Sequence, residues 1–179
     1  MIKAFKIWVW MTFLTGVAYP LLITAVAHIT AGKKARGSTI LHEGRIVGSA
    51  LIGQKFSSEK YFWSRPSSSD YHTLPAQGSH LGPTSAKLKE QVLERKKKWE
   101  VYGSDVPSEL LFASGSGVDP HLTAKGAIFQ IGRIAEARKL PPEVVQKLID
   151  KHIVNMVGPP LVNVLKLNLA LDQMEEKNG

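Results

Sequence analysis

An uncharged apolar stretch near the N-terminus divides this sequence into two chemically different parts. Residues 7–30 read IWVWMTFLTGVAYPLLITAVAHIT and contain no Asp, Glu, Lys or Arg. About 20 apolar residues in a helix are enough to cross a hydrocarbon core that is about 30 Å thick. The sequence therefore predicts one membrane-spanning helix, and a globular domain has to be built from the residues that follow it.

The residues around this stretch favour a helix that stays in the membrane. Trp8 and Trp10 stand at its start, where indole rings prefer the headgroup level, and lysines precede and follow it. Pro20 predicts a local kink, which membrane helices tolerate when neighbouring groups satisfy the freed backbone carbonyl. We therefore predict an N-terminal cytoplasmic end at residues 1–6, a transmembrane helix at residues 7–29, and a mixed α/β (α+β) domain at residues 30–179.

One alternative for the helix is removal as a signal peptide. Ala25-Val26-Ala27 has the A-x-A form of a cleavage site, but the apolar stretch is longer than the roughly 7–15 residues of a signal-peptide core. Orientation is not decided by charge, because basic residues stand on both sides of the helix. The short leading segment favours an N-terminus inside the cell and an extracytoplasmic domain, anchored in the cell (inner) membrane.

Composition limits the classes of site and partner. The chain has no cysteine, which excludes disulfides, thiol nucleophiles and thiolate metal sites. The net charge is +8, but the densest basic run, residues 95–98, has no recognition motif beside it, so nucleic acid is not an expected partner. The 6 histidines never occur at a paired metal-ligand spacing, and no metal site is predicted.

Turn residues and hydrophobic periodicity predict a strand, a loop and a helix after the membrane segment. The strand is expected at residues 45–52, with a bulge at Gly48. The aromatic run at residues 61–63 either fills the core or faces a partner, and the core role is favoured. Residues 67–83 form a long loop rich in Ser, Gly and Pro. Ser85 is predicted to cap the helix that follows this loop.

Further short strands and helices are predicted in the second half of the chain. Strands are expected at residues 110–113 and 162–167, and helices from Asp119-Pro120, from Pro141-Pro142 and over residues 168–177. The helix from Asp119 carries apolar residues at steps of three and four, which leaves Gln130 and Arg133 on its opposite face. This order of elements is typical of an α+β domain.

The stretch from Ser114 to His121 contains the residue types of a hydrolase site. Ser114 or Ser116 with His121 would supply nucleophile and base, which makes a membrane-anchored extracytoplasmic hydrolase the alternative function. A catalytic triad, however, draws its members from different elements, and the nucleophile pattern G-x-S-x-G is absent. No P-loop motif occurs, and Asp119 would repel an anion from the glycine-rich turn before it.

Six segments, taken in order, carry a resemblance to a known family. They are GVAYPLL at residues 16–22, VGSALIGQKF at 47–56, YFWSRP at 61–66, GSHLGP at 78–83, ASGSGVDPH at 113–121 and VNVLKLNLALD at 162–172. Together they resemble the C subunit (KdpC) of the Kdp potassium-transporting P-type ATPase of bacteria and archaea. The sequence departs from the family pattern at His80, Ser85 and Pro159.

The resemblance implies a non-catalytic subunit of a high-affinity, ATP-driven potassium uptake complex. Its implied partners are membrane lipid, a channel-like potassium-binding subunit (KdpA), a P-type ATPase subunit (KdpB) and a small hydrophobic peptide (KdpF). It also implies a catalytic chaperone that raises the ATP affinity of the ATPase subunit, with Gln130 and Arg133 as candidate nucleotide contacts. An extracytoplasmic domain cannot meet cytoplasmic ATP, so stabilising the complex or covering its ion entrance agrees better with the expected topology.

Overall fold

The computed structural model describes residues 1–155 and 157–178. The contacts divide the chain into two compact units, Met1–Ser49 and Ala50–Gly179. The first unit contains helix α1 (Ile2–Phe13), a π-helical turn (Leu14–Ala18), helix α2 (Tyr19–Ala35) and strands β1 (Thr39–His42) and β2 (Arg45–Ser49). The second contains α3 (Ala86–Glu100), a 3-10 turn (Ser108–Leu110), β3 (His121–Thr123), α4 (Ala124–Ile128), α5 (Ile131–Arg138), α6 (Pro142–His152), β4 (Leu161–Asn163) and α7 (Val164–Asn178). A mixed helix and strand fold with one long apolar N-terminal helix confirms the predicted fold class.

The apolar N-terminal segment forms a nearly continuous helix. It runs over Ile2–Ala35, 34 residues with a mean hydropathy of 1.7, and has the length and composition to cross a membrane. At a rise of about 1.5 Å per residue it extends for about 50 Å, which exceeds the hydrocarbon thickness. None of its residues is buried within the described chain.

The π-helical turn ends at Ala18, two residues before Pro20. A proline has no N–H, and its ring collides with the carbonyl four residues earlier, here that of Gly16. One wide turn relieves this collision without ending the helix, and the Thr24 hydroxyl donates 2.8 Å to the Pro20 carbonyl. The local distortion predicted at Tyr19-Pro20 therefore occurs as a π-turn. A second break follows at Ala31, whose φ of −140° and ψ of 38° are not helical.

Strands β1 and β2 form an antiparallel hairpin. Glu43 and Gly44 connect them with φ of 49° and 76°, the combination of a two-residue type I′ turn. Ile40 faces Gly48 while Leu41 faces Ile46, so the second strand contains one additional residue. This confirms the predicted bulge. The predicted strand over residues 45–52 is too long, because β2 ends at Ser49 and turn geometry follows.

In the second unit, two short antiparallel strands each lead directly into a helix. Leu122 pairs with Val162 at the centre of this ladder, and both side chains are fully buried. Thr123, at the end of β3, accepts 3.1 Å from the Gly126 N–H and so caps α4. Asn163, at the end of β4, accepts 3.2 Å from the Lys166 N–H in the same way. The core lies between this ladder and helices α3, α5, α6 and α7.

Four predictions for elements of this unit are wrong, one strand and three boundaries. Residues 110–113 form no strand, because Leu110 ends the 3-10 turn Ser108–Leu110 and the chain continues without helix or strand. The helix predicted from Asp119 begins only at Ala124, because residues 121–123 pair as β3. The strand predicted at 162–167 ends at Asn163, and the helix predicted from residue 168 begins at Val164. Apolar runs this short do not distinguish strand from helix.

Other predictions for this unit are confirmed. Helix α3 begins after Ser85, whose hydroxyl accepts 3.4 Å from the Leu88 N–H. Residues 67–83 contain neither helix nor strand. Phe62 and Trp63 lie in the core at 0% and 9% exposure, as expected for an aromatic run that stabilises a domain.

Candidate functional site

Gln130 is fully buried and binds the backbone of the aromatic run. Its Oε1 accepts 2.9 Å from the Trp63 N–H, and its Nε2 donates 3.1 Å to the Trp63 carbonyl. Asn168 on α7 binds the preceding residue in the same way. Its Oδ1 accepts 2.8 Å from the Phe62 N–H, and its Nδ2 donates 3.0 Å to the Phe62 carbonyl. Two buried amide side chains therefore take the place of a neighbouring β-strand along this extended segment.

Arg133 is the second residue that the resemblance singled out, and only 3% of it is exposed. Its Nη1 donates 2.6 Å to the Glu59 carbonyl, and its Nη2 donates 2.9 Å to the Tyr61 carbonyl. The same Nη2 donates 2.8 Å to Oε1 of Gln130, and the guanidinium lies 3.9 Å from the centre of the Trp63 ring. Burial lowers the pKa of Arg133 to about 10, so the side chain stays charged at neutral pH.

Arg138, at the end of α5, binds the same segment. Its Nε donates 2.7 Å to the Lys60 carbonyl, and its Nη2 pairs with Asp172 at 2.8 Å. The Tyr61 hydroxyl donates 3.2 Å to the second oxygen of Asp172. Burial, together with this carboxylate, raises the pKa of the Tyr61 phenol.

We call the five side chains that hold residues 59–63 the clamp. Its members are Gln130, Arg133, Arg138, Asn168 and Asp172. They come from α5, from α7 and from the residue that precedes α5. What they share is that they bind main-chain groups or one another, which fixes the path of an irregular segment through the core.

The predicted outward position of Gln130 and Arg133 is wrong. A single helix would place them opposite the apolar stripe, but α4 ends at Ile128 and α5 begins at Ile131. The interruption changes the helical phase, so Gln130 and Arg133 turn inward, while Ile128 is 44% exposed. A nucleotide contact through Gln130 stays a prediction, and it would require both ends of the amide to leave buried partners.

The serine and histidine candidates for hydrolysis are not brought together as a catalytic unit. Ser114 is buried, and its hydroxyl has no hydrogen-bond partner among the described residues. The Ser116 hydroxyl accepts 3.2 Å from the Val118 N–H. His121 lies 3.9 Å from the Asp119 carboxylate, but neither serine hydroxyl is hydrogen-bonded to it within residues 1–155 and 157–178. A nucleophile needs such contact with its base.

Asp119 has a structural position in this stretch. One of its oxygens accepts 3.0 Å from the His121 N–H, and the other pairs with Arg65 at 3.1 Å. The backbone beside it is packed closely, because a Cβ on Gly53 would lie 2.5 Å from the Asp119 carbonyl. The turn before β3 is thus fixed against residues 53 and 65, from two other segments of the domain.

The sequence is similar to known proteins along most of its length. Residues 1–173 match the family described as KdpC, the K+-transporting ATPase, c chain. The potassium-transporting ATPase KdpC subunit of Cereibacter sphaeroides is 47% identical over 167 residues, which cover 90% of each chain. The subunit of the same name from Rhodopseudomonas palustris is 41% identical over 182 residues, again 90% of each chain. That of Serratia proteamaculans is 41% identical over 176 residues, 92% of this chain and 93% of its own.

Proposed function

The chain belongs to the KdpC family of K+-transporting ATPase c chains, and on this premise we propose that it is a non-catalytic subunit that stabilises the transport complex. Membership makes the chain a subunit of a potassium-transporting ATPase. The proposed role has two parts, a helix that packs in the membrane against another subunit and a rigid domain that rests on that subunit outside the cell. The proposed partners are KdpA, KdpB and KdpF.

The observation that carries this proposal is the exposure of the N-terminal helix. No residue of Ile2–Ala35 is buried, although the helix is apolar over its length. Apolar surface on this scale has to be covered by lipid or by other subunits. A Cβ built on Gly16 meets no atom within 4 Å, so this side of the helix is free for the close helix approach that small residues allow in membranes.

The clamp supports the non-catalytic part of the proposal. Gln130, Arg133 and Arg138 satisfy buried backbone groups around the aromatic run, so the atoms that make these bonds are already engaged. Nε of Arg133 is buried and has no hydrogen-bond partner among the described residues. Such a network gives a stiff domain that can be positioned on a partner without rearrangement. An effect of the chain on ATP affinity, as the family resemblance implies, would then pass through the assembled complex and would not need a nucleotide contact of its own.

Gly16→Leu tests the membrane part. The larger side chain should prevent close packing, so the chain should no longer co-purify with the channel-like subunit after mild detergent extraction. Ala18→Leu is the matched control, because a residue two positions further along a helix points to nearly the opposite side. Equal recovery of the complex with both variants would refute the proposed interface. Unchanged potassium-dependent ATP hydrolysis after deletion of the whole chain would refute the function itself.

The extracytoplasmic orientation and the absence of hydrolysis are tested separately. A periplasmic reporter fused to the C-terminus should be active, and an active cytoplasmic reporter would reverse the topology. Changing Ser114, Ser116 and His121 to Ala should leave assembly and transport intact. Loss of an esterase or peptidase turnover in those variants, with assembly retained, would favour the hydrolase alternative.

A further inference from the structure

A polar cavity opens between the long loop and helix α3. Its volume is about 230 Å³, and it is lined by residues 67–68, by residues 77–81 and by three side chains of the helix. Lys87, Gln91 and Arg95 supply that helical wall, and their spacing of four residues places them on one face. Among the described residues, those that line the cavity include no carboxylate, whereas Lys87, Arg95 and the His80 imidazole do line it.

The loop wall of this cavity is held in place by close backbone packing. A Cβ on Gly78 would lie 2.8 Å from the Gly115 carbonyl, and one on Gly117 would lie 2.5 Å from the Gln77 carbonyl. At the other end, the Ser67 hydroxyl accepts 2.8 Å from the Tyr71 N–H. These contacts fix both loop segments before any ligand arrives, which reduces the ordering that binding requires.

Arg95 is positioned as an anion donor. Its Nη1 donates 2.7 Å to the Leu111 carbonyl, which anchors the guanidinium at the cavity wall. The remaining guanidinium nitrogens have no hydrogen-bond partner within the described part of the chain. The side chain is half-buried, and burial lowers the pKa of Arg95. An arginine fixed at one nitrogen and open at the others is suited to bind an oxyanion with two parallel hydrogen bonds.

We infer that this cavity binds a phosphate group, held by Arg95 and Lys87 with the serine hydroxyls of the loop as additional donors. Ser67, Ser68 and Ser79 all line the cavity, and hydroxyl groups complete the coordination of an anion whose charge is met by the two cations. The volume is below the roughly 300 Å³ at which pockets for drug-sized ligands begin. It therefore suits inorganic phosphate or the headgroup phosphate of a glycerophospholipid, two sources with the same chemistry.

The test is a titration of the full-length chain in a phosphate-free maltoside detergent. Backbone amide resonances are followed by NMR while inorganic phosphate replaces chloride at constant ionic strength. A second titration uses a short-chain phosphatidylglycerol in place of phosphate. Saturable shifts confined to residues 67–68 and 77–81 support the inference, and the ligand with the lower dissociation constant identifies the source.

Substitutions on α3 separate the site from general charge attraction. Lys87→Gln should weaken binding about tenfold, the effect of losing one charge-assisted hydrogen bond. Lys89→Gln makes the same charge change on the same helix outside the cavity and should leave the dissociation constant unchanged. Arg95→Gln should abolish binding. If that variant unfolds, Lys87→Gln still tests the site, because Lys87 is exposed and its substitution does not disturb the fold. Equal weakening by Lys87→Gln and Lys89→Gln, or no saturation with either ligand, would overturn the inference.

Discussion

Replacing Gln130 by Leu distinguishes a structural amide from a nucleotide contact. Leu has a similar volume but neither donates nor accepts, so the N–H and the carbonyl of Trp63 lose their partners at 2.9 and 3.1 Å. A buried polar group left unpaired costs about 1–3 kcal/mol. With two such groups, we expect the free energy of unfolding to fall by about 3–4 kcal/mol, a large part of the roughly 5–15 kcal/mol of a typical domain.

The measurement is denaturant unfolding of the full-length chain in detergent, followed by tryptophan fluorescence. Trp8→Phe and Trp10→Phe remove the emission of the membrane helix, so that the signal reports on the buried indoles of the second unit. Gln146→Leu serves as the matched control. This glutamine donates 2.9 Å to Asp150 on the exposed side of α6, and its loss should change stability by no more than about 0.5 kcal/mol.

Two results would refute the structural role of Gln130. One is a destabilisation no larger than that of the Gln146 variant. The other is an unchanged unfolding free energy combined with a weaker ATP affinity of the assembled ATPase, which would favour the nucleotide contact instead. Both outcomes can be read from the same pair of variants, because the two roles predict opposite orders of effect on stability and on ATP affinity.

Three further perturbations test the packing of the second unit. Gly117→Ala should lower the unfolding free energy by about 2 kcal/mol or more, because φ is 73° and the new Cβ would lie 2.5 Å from the Gln77 carbonyl; Gly115→Ala, with open space around its Cβ, is the control. Arg138→Met should lower the free energy of unfolding by about 2–3 kcal/mol, because the buried Lys60 carbonyl and the Asp172 carboxylate lose a charged donor. The denaturant midpoint measures this change, and an unchanged midpoint would contradict the role of the clamp. Burial raises the pKa of Tyr71 from 10.0 to about 12. The protonated phenol therefore contributes fully to the free energy of unfolding below pH 10, and this contribution is lost as the pH rises towards 12. Phenolate absorbance of wild type against Tyr71→Phe measures this, and titration at the ordinary value would contradict it.

Sequence periodicity was sufficient where one element carries its own signals. The long apolar N-terminal helix follows from an uncharged apolar stretch, and α3 follows from the cap at Ser85 and its apolar spacing. The bulge in β2 follows from a glycine within a strand. In each case the residues that decide the structure lie within a few positions of one another.

Periodicity failed where the deciding contact is distant in sequence. Gln130 and Trp63 are separated by 67 positions, and Asn168 and Phe62 by 106. From sequence alone, a glutamine beside an apolar stripe is predicted to lie at the surface. It is buried here because its amide bonds a buried backbone segment, and the sequence near Gln130 does not show that this segment enters the core. The break between α4 and α5 turns Gln130 inward, and no proline in the sequence predicts this break.

The segments that carry the family resemblance contact one another, and this argues for a structural cause of the resemblance. The backbone of Phe62 in YFWSRP is hydrogen-bonded to the side chain of Asn168 in VNVLKLNLALD. Arg65 in the first of these segments pairs with Asp119 in ASGSGVDPH. Gly78 in GSHLGP packs against the Gly115 carbonyl of that same segment. Two of these contacts involve backbone that is buried or closely packed, and the third is an ion pair between side chains, so a substitution in one segment disturbs another. A common domain framework is therefore sufficient to explain these shared motifs, because each of them is held by a contact with another.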